Sequence, residues 1–380
     1  MNSFNKIGFK KNYNYTRLCA EKDDFRSSFQ RDRDRILHSN AFRRLAHKTQ
    51  VFFLTNNHDH FRNRLTHSLE VSQIARSISS IMGLDESLTE AISLAHDLGH
   101  PPYGHIGEGI LNEVMLNLGN SGFDHNIQTL RIITRLEQKY GAFDGLNLTY
   151  ETLEGVLKHS GPIINNNSYY QKFSLYYDMS LTTQSSLEAQ IAAISDDIAY
   201  NCHDIDDGIR ANLFTLYDLN EVGLIRKCQS NIKSEFPDIE ASRLAHELKR
   251  NLINAFIIDI VEESSKKLDE SRIGSHNDFT KYNSEIIVLS DFMKEQMNDI
   301  RAFLSANMYQ SKLVLDHSNH ADEVIKGLFF YYKENLNKLP LKLKSISGDP
   351  KIINRIICDF ISGMTDNYAD EQYRELLKKS

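Results

Sequence analysis

The chain has 380 residues, 41% of them apolar and 25% charged, with 18 Gly, 6 Pro and a net charge of −7. This length and apolar content support a large buried core, and the low Gly and Pro counts argue against a turn-rich all-β design. The negative charge argues against a generally basic nucleic-acid-binding surface, while leaving room for a local basic pocket around a phosphorylated small molecule. The cysteines Cys19, Cys202, Cys228 and Cys358 are scattered without CxxC spacing and read as reduced thiols of a cytoplasmic protein. The stretch Met1–Lys6 shows no apolar signal segment. No apolar run approaches the roughly 18 residues that a membrane span needs.

Residues 1–30 are polar and aromatic without a clear period and read as an N-terminal arm. From Arg31 to Lys48 charge is dense, on a partial stripe of Ile36, Leu37, Phe42 and Leu45; this is the pattern of a solvated, salt-bridged helix. Val71, Ile74, Ala75, Ile78, Ile81 and Met82 recur at three- and four-residue spacing and predict a helix over 67–82, ended by Gly83. Asp85 is placed to cap a second helix that turns Leu88, Ala91, Ile92 and Ala95 inward and runs into His96-Asp97. Gly99, Pro101 and Pro102 break it. Helical patterns follow at 106–118 and 125–139.

The segment Ser160–Ser186, with Asn165-Asn166-Asn167 and a Tyr-rich stretch, lacks periodicity and reads as a loop or insertion. A strong helix then carries Leu187, Ile191, Ile194 and Ile198 on one face. Further helices are expected at about 241–270, 282–308 and 320–337. A break falls at Leu339-Pro340-Leu341, and a last helix covers roughly 349–376. With no convincing strands and no internal repeat, the fold class is all-α.

The densest chemistry lies in Ala95-His96-Asp97-Leu98-Gly99-His100-Pro101-Pro102-Tyr103-Gly104-His105. Adjacent imidazole and carboxylate suit a borderline or hard divalent cation, and the histidines beyond them suit proton transfer near neutral pH. His67 opens the first good helix and His96-Asp97 closes the second. A short turn makes such helices antiparallel neighbours, so these residues can converge, and Asp196 can close the set from a third helix. A lone histidine on a helix is more often structural than a ligand; the order and combination carry the reading.

His67, His96-Asp97 and Asp196 in this order resemble the H…HD…D signature of HD-domain metal-dependent phosphohydrolases. The longer runs Arg62-Asn63-Arg64-Leu65-Thr66-His67-Ser68-Leu69-Glu70-Val71, His96 to His105 and Asp196-Asp197-Ile198-Ala199-Tyr200 resemble the deoxyguanosine triphosphate triphosphohydrolase family. So do Ser39 to Val51 and Gly363-Met364-Thr365-Asp366, so the similarity covers roughly residues 25–375. It implies an HD-domain helical bundle with additional C-terminal helices: an arm at 1–30, the HD core at 31–210 and a helical region at 211–380 that completes the substrate pocket and oligomer contacts.

The resemblance implies hydrolysis of a dNTP, dGTP among the substrates, at the α-phosphorus to deoxynucleoside and inorganic triphosphate. His67, His96, Asp97 and Asp196 match the metal ligands, for Mg²⁺, Mn²⁺ or another transition metal. His105 and Glu108 match a catalytic histidine and its acidic partner; His125 and His100 match further active-site histidines, with structural support of the site as the other reading of both. Arg64 matches a phosphate-contacting arginine and Gln50 a position near sugar and base. Asp196, Tyr200 and Asp204 share one helical face, and the resemblance sets Tyr200 and Asp204 beside sugar and phosphates. Arg301, Tyr309 and Gln310 resemble a substrate-facing trio of metazoan relatives. Bacterial members commonly have Arg-His-Pro after that tyrosine, where this chain has Gln310-Ser311-Lys312. Asp197 falls where some relatives carry a phosphate-binding lysine, a role for which Lys48 is a substitute.

Two alternatives stay open on sequence: another HD phosphohydrolase acting on a nucleoside monophosphate or signalling nucleotide, and a non-catalytic nucleotide sensor. The family further implies a homo-oligomer, a dimer-based tetramer or hexamer, and a dNTP activator at a subunit interface. No membrane partner is expected, and nucleic-acid contact is left open.

Overall fold

The computed structural model describes residues 3–9, 15–22, 25–51, 61–164, 167–340 and 348–377. Met1, Asn2, Asn165, Asn166 and Leu341, which entered the sequence reading, lie outside them. Among the described residues the secondary structure is helical, with strand pairing confined to isolated bridges such as Arg17 with Thr149 and Thr49 with Asn63. The all-α expectation holds.

The chain divides into two compact units. One comprises Met1–Asp34, His67–Leu94 and Leu148–Ser311; the other comprises Arg35–Thr66, Ala95–Asn147 and Lys312–Ser380.

The first unit is organised by the 24-residue helix Leu187–Arg210, on which Tyr150–Leu157, Ala241–Ser271 and Asp291–Leu304 pack. Its start is fixed by Ser186, whose hydroxyl accepts the Ala189 N–H at 3.2 Å. Ile191, Ile198, Cys202 and Ile205 are buried along it, whereas Ile194 is half-buried. The long helix Ala241–Ser271 buries Leu244, Leu248, Leu252, Phe256 and Ile260 at four-residue steps, a single ridge facing its neighbours. Phe29, Leu88, Ile92, Ala189 and Ala192 form a smaller core, with Phe9 and Tyr15 of the arm packed against it.

Charge near Arg31 is not all solvated as expected. Asp32 is fully buried; it pairs with Arg17 and accepts from the hydroxyls of Thr149 and Thr152, each at 2.7 Å. A buried carboxylate is tolerable on these terms because both oxygens have donors and one of them is a cation. The helix expected over 67–82 runs Arg64–Met82. Ile81 is 55% exposed and drops off its buried stripe. Asp85 caps Glu86–Ala95, its Oδ1 accepting from Ser87 and Leu88 at 2.9 and 3.0 Å.

Within the stretch expected to be a loop or insertion, Ser168–Tyr177 is a helix capped by Asn167. It buries Tyr170, Phe173 and Tyr177 at three- and four-residue steps, a stripe made of aromatic rather than aliphatic residues. The helix expected from 282 begins at Asp291. Upstream, the Ile286 and Ile287 N–H groups donate to Gln190 Oε1 and the Val288 N–H to Ser264 Oγ, so the extended backbone is satisfied by side chains and needs no helix.

The second unit is built around Lys312–Glu334, which packs on Gly104–Asn117, Pro350–Ser362 and Asp366–Leu377. Leu111, Met115, Leu328, Phe329, Ile357 and Ile361 are buried in this core. The single last helix expected over 349–376 is two helices, separated at Gly363–Thr365.

Candidate active site

In the second unit the loop after Ala95 is held from several sides. Gly99 presses against the start of the helix His125–Arg131: a Cβ there would lie 2.1 Å from the His125 carbonyl oxygen and 2.3 Å from the Thr129 nitrogen. Its N–H donates to Thr129 Oγ1 at 2.9 Å, and that hydroxyl donates to the His96 carbonyl at 3.1 Å. Tyr103 and Gly104 both have positive φ, 64° and 58°. This left-handed corner is costly for a tyrosine. It is over-determined here: the Tyr103 N–H donates to Asp366 Oδ1 at 3.0 Å and its hydroxyl to Asp370 Oδ1 at 2.9 Å. Asp366 also accepts the Thr49 N–H at 2.8 Å.

Lys48 is buried and donates its ammonium to the carbonyls of His100 and Ser362. It is a clamp between backbone segments, in place of the phosphate-binding role considered from sequence. Burial and the nearby Arg44 push its pKa well below the usual lysine value.

The corner delivers His105 and Glu108 onto the first turns of Gly104–Asn117. Glu108 receives the His105 Nδ1 at 3.2 Å and the His125 Nδ1 at 2.8 Å, and accepts the His125 backbone N–H at 2.9 Å. Burial works to raise the Glu108 pKa, but the hydrogen bonds from His105 and His125 outweigh it and hold the carboxylate ionised. The His100 ring stacks on His125 with centroids 4.0 Å apart and meets His105 edge-on at 4.8 Å. Burial, Arg64 and His125 hold His100 well below the ordinary imidazole value, so it is neutral.

Asp97 sits beside His100, with His100 Nε2 at 3.2 Å from its Oδ1, and takes Arg64 Nη1 on Oδ2 at 2.9 Å. Burial opposes its charge, yet His96, Arg64 and His100 keep its pKa well below the carboxylate range. Arg64 is itself 1% exposed. Its Nε and Nη2, and the Gln50 Oε1, are buried without a hydrogen-bond partner among the described residues.

In the first unit, His67 and Asp196 face each other across the helices Arg64–Met82 and Leu187–Arg210, Nε2 to Oδ1 at 2.9 Å. The other carboxylate oxygen of Asp196 lies 3.3 Å from His159 Nε2. His159 was not singled out from sequence. It follows Lys158, which is buried and donates to Glu154 at 2.6 Å and Thr183 at 2.7 Å, fixing the end of Tyr150–Leu157. One imidazole beside a lysine at a helix end is too common a pattern to have flagged it.

Two turns along from Asp196, the Tyr309 hydroxyl donates to Asp204 Oδ2 at 2.6 Å, and the Tyr200 and Tyr309 rings stack at 6.1 Å. Burial and the Asp204 carboxylate keep the Tyr309 phenol protonated. Arg301 Nη2 pairs with Asp197 at 2.7 Å. Gln310 is exposed in the turn that follows. The first unit thus gathers His67, Asp196, Tyr200, Asp204, Arg301 and Tyr309; the second gathers Arg64, His96, Asp97, His100, His105, Glu108 and His125.

Comparison with known proteins decides the family. Residues 64–201 match the HD domain and residues 287–375 a phosphohydrolase-associated domain. A deoxyguanosinetriphosphate triphosphohydrolase-like protein of Brucella canis is 43% identical over 96% of this chain and 93% of its own length. One of Bartonella quintana is 46% identical over 92% and 89%. The chain belongs to the dGTP triphosphohydrolase-like family of HD-domain proteins.

As an HD phosphohydrolase it is a divalent-metal protein, and the donor chemistry fits. The His67 imidazole and Asp196 carboxylate, converged at 2.9 Å, are the ligand types that such ions take. Among the described residues no helix is long and apolar enough to cross a membrane.

Proposed function

We propose that the protein hydrolyses deoxynucleoside triphosphates, dGTP among them, at the α-phosphorus, releasing the deoxynucleoside and intact inorganic triphosphate. The observation that carries this reading is the His105–Glu108–His125 network, in a chain whose relatives bear the dGTP triphosphohydrolase-like name. Glu108 holds one ring nitrogen of His105 while the side chain is 64% exposed, so the other nitrogen is free to move a proton. Water adds to the α-phosphorus, the bond to the 5′-oxygen breaks, and that oxygen takes up a proton. His105 serves the attacking water or the leaving oxygen. His125 and His100 support it through Glu108 and by ring packing.

His67, His96, Asp97 and Asp196 are the ligands assigned to Mg²⁺ or Mn²⁺, by their order in the chain and the span of the HD match. When bound, such an ion polarises the α-phosphoryl oxygen and lowers the pKa of water. The Nε and Nη2 of Arg64, without a hydrogen-bond partner among the described residues, are buried donor capacity suited to phosphate oxygens. Gln50, its buried Oε1 without a hydrogen-bond partner among the described residues, is assigned to sugar and base. Tyr200 closes on the deoxyribose, Asp204 accepts from the 3′-hydroxyl, and Arg301, Tyr309 and Gln310 complete the substrate contacts. Cytoplasmic localisation, a dimer-based tetramer or hexamer and a dNTP activator belong to the same reading.

The test is product identification. Purified protein is incubated with each dNTP and with GTP, with Mg²⁺ or Mn²⁺, singly and in mixtures that supply an activator. Deoxynucleoside and triphosphate are the expected products. Monophosphate with pyrophosphate, or diphosphate with phosphate, would make it a different HD phosphohydrolase.

A further inference from the structure

His100, His105, Glu108 and His125 place one donor atom each within 4.8 Å of one another, all in one compact unit. We propose that these four side chains form a second divalent-ion site, of the zinc class, separate from the HD ligands. Three imidazoles and one carboxylate are the donors of a four-coordinate borderline ion such as Zn²⁺ or Co²⁺, whereas Mg²⁺ prefers oxygen ligands and octahedral geometry.

His100 distinguishes this cluster from a plain hydrogen-bond network. Its Nε2 faces Asp97 Oδ1 at 3.2 Å, so a carboxylate fixes the ring and its proton. Its Nδ1 is buried and has no hydrogen-bond partner among the described residues, in a side chain only 2% exposed. A buried lone pair on one ring nitrogen, with a carboxylate on the other, is the arrangement that orients metal-binding histidines. An apolar residue would stack on His125 equally well without leaving that nitrogen unsatisfied.

Two donor spacings are already close to those around a bound ion, while the stacked His100 and His125 rings, 15° from parallel, turn toward it on binding. Bonds of about 2.0–2.1 Å to a tetrahedral ion set neighbouring donors about 3.3 Å apart. The Glu108 oxygens now lie 2.8 Å from the His125 nitrogen and 3.2 Å from the His105 nitrogen. His105, largely exposed, gives an ion access from solvent. Zn²⁺ bound here occupies the ring nitrogens that hold His105 and His125 on Glu108. On the proposed reaction, it therefore inhibits turnover that Mg²⁺ supports; this arm alone rests on that reading.

The site itself is tested without turnover. Metal-stripped full-length protein is loaded with Zn²⁺ or Co²⁺, passed through a desalting column and analysed for bound metal. The wild type is expected to retain two ions per chain. His67→Ala/Asp196→Ala is expected to retain one, showing the visible d–d bands of four-coordinate Co²⁺. His105→Gln, at an exposed position where folding is not at risk, and His125→Ala are each expected to fall from two to one, with thermal melts confirming the fold. One ion in the wild type, or two ions kept in both His105→Gln and His125→Ala, overturns the site. A chain that releases triphosphate but binds one ion loses this site and keeps the reaction; the reverse outcome keeps the site and loses the reaction.

Discussion

At the scale of single residues, the division of labour around Glu108 makes a sharp prediction. Its carboxylate is held ionised by His105 and His125, so removing one imidazole removes a reacting group and leaves the other pair intact. His105→Ala is expected to lower kcat by about 10²–10⁴-fold, with the HD-bound ion and dNTP affinity kept; a variant that turns over normally would remove His105 from the chemistry. Tyr200, stacked on Tyr309, is the residue assigned to exclude a 2′-hydroxyl. Tyr200→Ala is expected to reduce the dNTP/NTP ratio of kcat/KM by about tenfold or more, and an unchanged ratio would assign the ring to packing.

Glu188 makes a prediction about stability. It is fully buried, and burial raises its pKa from 4.5 to about 7. The folded state therefore holds this proton more tightly than the unfolded chain. Stability from this group is fully present below pH 4.5, declines as pH rises, and is lost above pH 7. The difference amounts to about 3 kcal/mol. Glu188→Gln keeps an oxygen for the N–H groups of Phe9 and Asp85 and has no charge to bury. In urea unfolding the variant is expected to match wild type near pH 5 and exceed it at pH 8; equal stability at both pH values would mean that the carboxylate is charged in the native state at little cost.

At the scale of elements, the long motifs turn out to do different work. The run His96–His105 holds residues assigned to the chemistry, whereas the front and rear motifs, Ser39–Val51 and Gly363–Asp366, brace it. Thr49 and Tyr103 hang on Asp366, and Lys48 joins the His100 and Ser362 carbonyls. The family resemblance marked these stretches but not that they meet, because a buried lysine satisfied by two carbonyls looks in sequence like any cation. Helices with aliphatic stripes, such as 67–82 and the one beginning at Leu187, were legible. Ser168–Tyr177 was missed because its stripe is tyrosine and phenylalanine, and the break at Gly363–Thr365 was missed because apolar residues continue on both sides. Gly99→Ala tests the bracing directly. Its new Cβ would strike the His125 carbonyl and Thr129 nitrogen, backbone atoms with nowhere to go. A loss of about 1–3 kcal/mol is expected in thermal or urea unfolding, with a fall in kcat; a variant of native stability would mean that the loop and the helix are not so tightly apposed.

At the scale of the whole molecule, the residues assigned as HD ligands come from segments far apart in sequence; their order resembles the HD signature, and the longer motifs around them point to the narrower family. His159 on Asp196 and the orphaned donors of Arg64 became visible only when the helices were assembled, because neither follows from a spacing rule. The central claim concerns the bond that breaks. It is tested most directly by phosphorus NMR of dGTP turned over in oxygen-18 water with Mg²⁺ or Mn²⁺. Attack at the α-phosphorus predicts intact triphosphate carrying one oxygen-18 atom at a terminal phosphorus, with unlabelled deoxyguanosine. Label in orthophosphate, pyrophosphate or a nucleotide product would contradict it.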